Sequence, residues 1–343
     1  MTTVHLVGSI GLDTTPEVFA TVGRLLGPHL KRVPDGEPGG RRLWISWQYP
    51  LLRANPFLQP AGPPSVFGVG FPPLKVADDV APGEVRFGEL GYSREARASY
   101  LDFQQARQRG ELPPGVKFQV SLPTPSAVIG AFCDPEAVPA VLPAYERAML
   151  TEVERVCAAI PHHDLAMQWD VCSEMVQWDG RWRVRPYPGI ENDFRRTFAR
   201  LAAAVPTDVE LGFHLCYGDL DAKHFIEPED LGKAVELANL ILGCVGRPVA
   251  YVHMPVPISR ADDAYFAPLT GLQRPPGTDL YLGLVHAADG VEGTRRRMAA
   301  ASRYVSEFGI ASECGIARAR RPETVLNILQ VSAAAATAPA VPV

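Results

Sequence analysis

A single (β/α)8 barrel is the fold class the sequence predicts. Eight short strand-like runs alternate with stretches of helical spacing, most of the runs are continuously apolar, and the chemistry-bearing residues fall at their carboxyl ends. Alternation of strand and helix points to a parallel sheet, and unbroken apolar runs suit strands covered on both faces. The 343 residues are a normal length for one such barrel.

The runs are VHLVGSI (4–10), HLKRVPD (29–35), KFQVSLP (117–123), DLAMQWDV (164–171), DVELGFHLC (208–216), PVAYVHMPV (248–256), DLYLGLVH (279–286) and FGIASECG (308–315). Helical spacing of apolar and charged residues predicts helices over 15–27, 93–109, 135–160, 228–246, 291–308 and 322–336. Residues 1–336 therefore read as one domain, with no boundary and no repeat. Residues 50–92 are rich in Pro and Gly and too long for a passive connection, so they are expected to form a functional loop over the barrel mouth. The segment 337–343 (TAPAVPV) reads as a frayed tail.

Composition bounds the function. With 47% hydrophobic and 21% charged residues, the chain can bury a full core. A net charge of −5 argues against a general nucleic-acid binder. No apolar run of membrane-spanning length and no leader-like N-terminus is read, which points to a cytoplasmic protein. Six cysteines in a chain of this size suit reduced thiols better than a disulfide framework.

His214 and Cys216 are separated by one residue, so on a strand both face the same side and both reach one ion. Imidazole with thiolate is a normal zinc pair. The alternative is a buried Cys beside a hydrogen-bonded core His. Cys314 ends the last strand, and parallel strands deliver such ends to one face of a barrel. His253, ending the neighbouring strand, is expected as the fourth ligand, unless water or substrate takes that position. Glu236 reads as mid-helix and ranks below it.

These motifs together resemble the catalytic barrel of the cobalamin-independent methionine synthases. VGSI (7–10) is similar to that family's "GSFP" turn, DGEPGGR (35–41) to its "GEPER" stretch and WDVCSE (169–174) to its "IDEPA" strand. HLCYGD (214–219) is similar to "HMCYSEF", and SECG (312–315) to "PDCG". The order agrees along nearly the whole chain. The resemblance implies a zinc-dependent methyl transfer to a thiol, with His214, Cys216 and Cys314 as ligands and His253 where the family has a Glu. It implies Gly8, Ser9, Glu37 and Asp170 around an amino acid substrate, with Arg41 as a further anion-binding candidate. His286 or Asp289 stands where the family has a relay His and is the candidate general acid. The implied partners are a small-molecule thiol and a methyl donor, either a folate or a corrinoid. A corrinoid protein and a second copy of the chain are the macromolecular candidates.

Other residues carry weaker signals. Glu174 reads as a helix-start acid favoured by the dipole. Trp44 and Trp47, three apart on an expected helix start, suit core packing or stacking on a flat ligand, and Arg41 and Arg42 suit binding an anionic group or capping that segment. Two other readings remain: a metal-free barrel enzyme resembling uroporphyrinogen decarboxylase, and a small-molecule-binding paralogue without catalysis. The first predicts that Cys216→Ser leaves activity unaltered; the second predicts tight ligand retention without turnover.

Overall fold

The computed structural model describes residues 2–64, 70–181 and 186–337. Eight parallel strands form the sheet: β1 (Val4–His5), β2 (Arg32–Pro34), β3 (Lys117–Pro123), β4 (Leu165–Val171), β5 (Glu210–Leu215), β6 (Tyr251–Pro255), β7 (Asp279–Val285) and β8 (Gly309–Ser312). Neighbours run β1–β8–β7–β6–β5–β4–β3–β2. Parallel bridges from Val4 to Leu30 and from Ser9 to Gly36 bring the two ends of the sheet together. The result is the predicted (β/α)8 barrel.

The first and last strands are shorter than the apolar runs that announced them. Beyond His5 the first run leaves the ladder, and Ile10 pairs only singly, with Ile316. The predicted helices appear as Thr15–Leu26, Tyr92–Gln108, Val138–Ala159, Gly232–Cys244, Gly290–Ala301 and Pro322–Thr337. Ile190–Ala203, an amphipathic helix with Phe194, Phe198 and Leu201 buried, supplies the crossover between β4 and β5. Trp44 and Trp47 lie at 3-10 turns, not at the start of a long helix.

The barrel interior below the mouth is filled by polar and aromatic side chains. The His5 ring lies 4.7 Å from that of Tyr251 and 4.9 Å from that of Tyr281. Gln168 binds His5 and accepts from the Tyr251 hydroxyl, both at 3.0 Å. Arg32 closes the floor, donating to Glu210 at 2.5 Å with its guanidinium 4.4 Å over the Tyr251 ring. Gly212 makes this filling possible: a Cβ there would lie 2.1 Å from the Tyr251 ring.

Residues 50–92 are docked on the barrel wall. A helix Tyr49–Arg53 leads to an antiparallel pair, Leu58–Pro60 with Leu74–Val76, and Leu74 bridges to Cys133. The buried Glu152 carboxylate accepts from the Leu90 and Ser93 amides at 3.0 and 2.6 Å, tying the far end of the segment to the helix Val138–Ala159. Within the stretch, 65–69 lie outside the described residues, as do 338–343 of the tail. Among the described residues no helix is long and apolar enough to cross a membrane.

Candidate metal centre

At the carboxyl ends of β4, β5 and β6 the register sets Asp170, His214 and His253 side by side. Cys216 follows β5 and Cys314 follows β8, so the last strand brings its sulfur across the mouth. The two Sγ atoms stand 3.5 Å apart. The candidate ligand atoms of His214, Cys216 and Cys314 all lie within 4.8 Å of one another, and all three residues are buried. His214 and Cys216 from the end of β5 and Cys314 from the end of β8 thus come close together.

His253 is placed differently from the expected fourth ligand. Its Nε2 is 3.1 Å from the Ser312 carbonyl, which only accepts, so that nitrogen carries the proton. Burial lowers the His253 pKa to about 3, so the ring is neutral and its Nδ1 is a lone pair. That lone pair lies 2.7 Å from His214 Nδ1, which must therefore be the donor. Burial, then His253, pushes the His214 pKa well below its ordinary value, so this ring is neutral too. Its remaining nitrogen, Nε2, is an unprotonated lone pair, buried and without a protein partner. Both nitrogens of His253 are occupied, and its place is to orient His214 from behind, as outer partners of ligating imidazoles do.

The sulfurs face a matching problem. Contact with Cys172 first, and burial, push the Cys216 thiol well above its ordinary pKa, while contact with Cys216 and burial do the same for Cys314. Two thiolates this close repel unless a cation lies between them. The Gly218 amide donates to Cys216 Sγ at 3.2 Å, and Arg318 Nη2 approaches Cys314 Sγ at 3.5 Å. A soft divalent cation fits the set: it meets the orphaned Nε2 and removes the repulsion.

Two carboxyls, Asp170 beside His214 and Glu37, also belong to this end of the barrel. Asp170 accepts from Gln168 Nε2 at 2.8 Å and from Trp44 Nε1 at 3.1 Å, and burial raises its pKa to about 7. Glu37, at φ 51°, is pushed up to about 8 by burial, then by Asp170 and Asp35. Some of its surface stays accessible, which suits a group facing the mouth. A Cβ on Gly8 would come 3.1 Å from Glu37 Oε1, so glycine there lets the acid lie against the segment that follows the first strand. Ser9 is buried beneath the last strand; its carbonyl accepts from Ile316 at 2.7 Å, and a Cβ on Gly315 would fall 2.2 Å from its Oγ. Arg41 is held by Asp35 at 2.8 Å, with Glu95 at 3.6 Å, behind Glu37. Its guanidinium is committed to that pair, not presented for an anion. Glu174 is buried, and burial raises its pKa.

The two candidate general acids part company. Asp289 receives a fork from Arg297 at 2.7 and 2.8 Å, and that pairing holds its carboxyl below the ordinary range. An acid so placed holds no proton to give at neutral pH. His286 donates from Nε2 to the Val256 carbonyl at 2.9 Å and turns Nδ1 toward Glu313 Oε2 at 3.5 Å. Glu313, whose pKa burial raises well above ordinary, also lies 3.4 Å from His224 Nε2. Glu313 and His224 edge a cavity of about 290 Å³ that reaches Cys314.

Several of these contacts escaped the sequence reading. Asp219, taken by Arg320 at 3.0 Å and Arg318 at 3.4 Å, sits only three residues past Cys216. Arg318 lies four residues past Cys314 in GIARAR, and nothing but that proximity marks it.

No protein-family model and no curated protein matches the sequence. Solved structures do match over nearly the full length of both chains. One is a putative vitamin-B12 independent methionine synthase from Listeria monocytogenes, 12% identical, covering 98% of each chain with a TM-score of 0.58. Another is a B12-independent methionine synthase from Shewanella sp. W3-18-1 in complex with selenomethionine, 13% identical, covering 97% of each chain with a TM-score of 0.61. The chain shares their fold. At this identity the likeness is one of architecture, and the chemistry has to be argued from the residues at the mouth.

Proposed function

We propose that this protein is a zinc-dependent methyltransferase acting on a small-molecule thiol. The observation that carries the reading is the pairing of two sulfurs 3.5 Å apart with a buried imidazole nitrogen that has no protein partner. Zinc held by His214, Cys216 and Cys314 would keep an acceptor thiol ionised at neutral pH and leave it nucleophilic.

The chain's own residues would do the rest. His253 fixes the His214 ring. Arg318 supplies positive charge beside Cys314, and Asp219, which it shares with Arg320, holds that guanidinium in place. Asp170 and Glu37 offer carboxyls to a substrate ammonium in a site that excludes water, where a charge-assisted hydrogen bond is strong. The Gly8–Ser9 turn shapes the floor beside them. A folate donor requires a proton for its leaving group and a corrinoid donor does not. Burial lowers the His286 pKa to about 4, so that ring is neutral with its one N–H on the Val256 carbonyl, and the proton would come from the buried Glu313 carboxyl beside it. A methylated folate and a methylated corrinoid, free or on a protein, are the donor candidates.

The test is methyl transfer from each donor to a panel of small thiols, with metal content measured in parallel. Turnover that disappears in Cys314→Ser supports the reading. Full turnover in a metal-free Cys314→Ser variant would reject it.

A further inference from the structure

A third sulfur lies against the first two. Cys172 directly follows β4, and the Val171 carbonyl just before it accepts from the Cys216 amide at 3.1 Å, so the two cysteines leave neighbouring strands at the same level. The Cys172 side chain packs in one cluster with those of Cys216 and Cys314. The cluster is buried, packed by Trp44 and Phe225 and set apart from the main core.

We propose that Cys172 supplies the fourth ligand of the resting zinc site, completing a Cys3His set. This rests on the zinc reading above. The other donors nearby are already committed. His253 has both nitrogens engaged, Asp219 holds Arg318 and Arg320, and Asp170 is held by Gln168 and Trp44. Glu313 faces His286 and His224. Cys172 instead packs its side chain in the cluster with Cys216 and Cys314.

Charge agrees with the assignment. Three thiolates, a neutral imidazole and a divalent zinc leave one net negative charge. Arg318 and Arg320 share the single carboxylate of Asp219, leaving one positive charge, and Arg318 is the group that reaches Cys314. The compact set within 4.8 Å comprises His214, Cys216 and Cys314 and does not include Cys172. Rotation about the one side-chain torsion of cysteine is the adjustment the proposal needs.

The experiment is zinc K-edge X-ray absorption on the whole protein purified without chelators, with Cys172→Ser and Cys172→Ala beside it. Expected are three sulfurs at about 2.3 Å and one nitrogen at about 2.0 Å, falling to two sulfurs in either variant. Zinc affinity by chelator competition should weaken at least about tenfold in both. Stoichiometric zinc with two sulfurs in the wild type, unaltered in the variants, overturns this assignment and leaves the zinc reading standing. A wild type that binds no zinc overturns both. If the variants fail to fold, the wild-type sulfur count decides alone.

Discussion

His214 and His253 face each other Nδ1 to Nδ1 at 2.7 Å, and only one direction of proton donation is consistent with the carbonyl behind His253. The Ser312 carbonyl thereby sets the tautomer of a ring two residues removed from it in the relay. It leaves His214 Nε2 as the free lone pair.

Replacement of His253 by Ala removes that relay but no direct ligand. Zinc affinity should fall by roughly 10–100-fold, the usual cost of losing an outer partner of a ligating imidazole. Competition with a fluorescent chelator reads it out. Unaltered affinity would mean that His253 does not orient the site, and complete loss of zinc would mean that it ligates directly.

Glu37 and Asp170 make stability fall as pH rises. Both have folded pKa values raised above their unfolded ones, to about 8 and about 7, so the native state holds more protons than the unfolded chain above about pH 4.3. Stability contributed by their protonation is lost as pH climbs through 7 and 8. Melting temperature should therefore decline between pH 6 and 8.5, less steeply in Glu37→Gln. A parallel decline in the variant would show that Glu37 does not carry the effect.

Glu152 tests the attachment of residues 50–92. It is buried and accepts two amide hydrogen bonds from that segment. Glu152→Ala should cost about 1.5–3 kcal/mol for each charged hydrogen bond lost. Urea denaturation measures the cost, and hydrogen exchange should show faster exchange at Leu90 and Ser93. Protection at those amides equal to the wild type would mean that other contacts hold the segment.

Asp289 is expected to matter for stability and not for proton transfer. Asp289→Ala strands the buried Arg297 guanidinium and should cost about 1.5–3 kcal/mol by urea denaturation. The pH profile of any methyl transfer should keep its shape. A shifted acid limb would return Asp289 to the chemistry.

The barrel was legible because most of its strand runs are dominated by apolar residues and alternate with helical stretches, even though His5, Arg32, Gln119 and Gln168 point polar groups into the interior. Those same two features placed His214, Cys216 and Cys314 together, since strand ends share one rim. What stayed hidden depends on side-chain geometry. Nothing in VHMP tells that both His253 nitrogens are taken, one by a carbonyl 59 residues on. Asp289 reads as an acid in a loop until Arg297 is seen to grip it from the following helix. Cys172 drew no reading of its own, because its neighbours Cys216 and Cys314 come from other strands. The second crossover helix, Ile190–Ala203, went uncounted although its apolar residues keep helical spacing.

Metal analysis of the whole protein, purified without chelators, tests the central claim most directly. The geometry predicts about one zinc per chain, lost from Cys216→Ser and from Cys314→Ser while both variants stay folded by circular dichroism. Folded wild-type protein that carries no zinc and takes up none from a buffered zinc solution would contradict it.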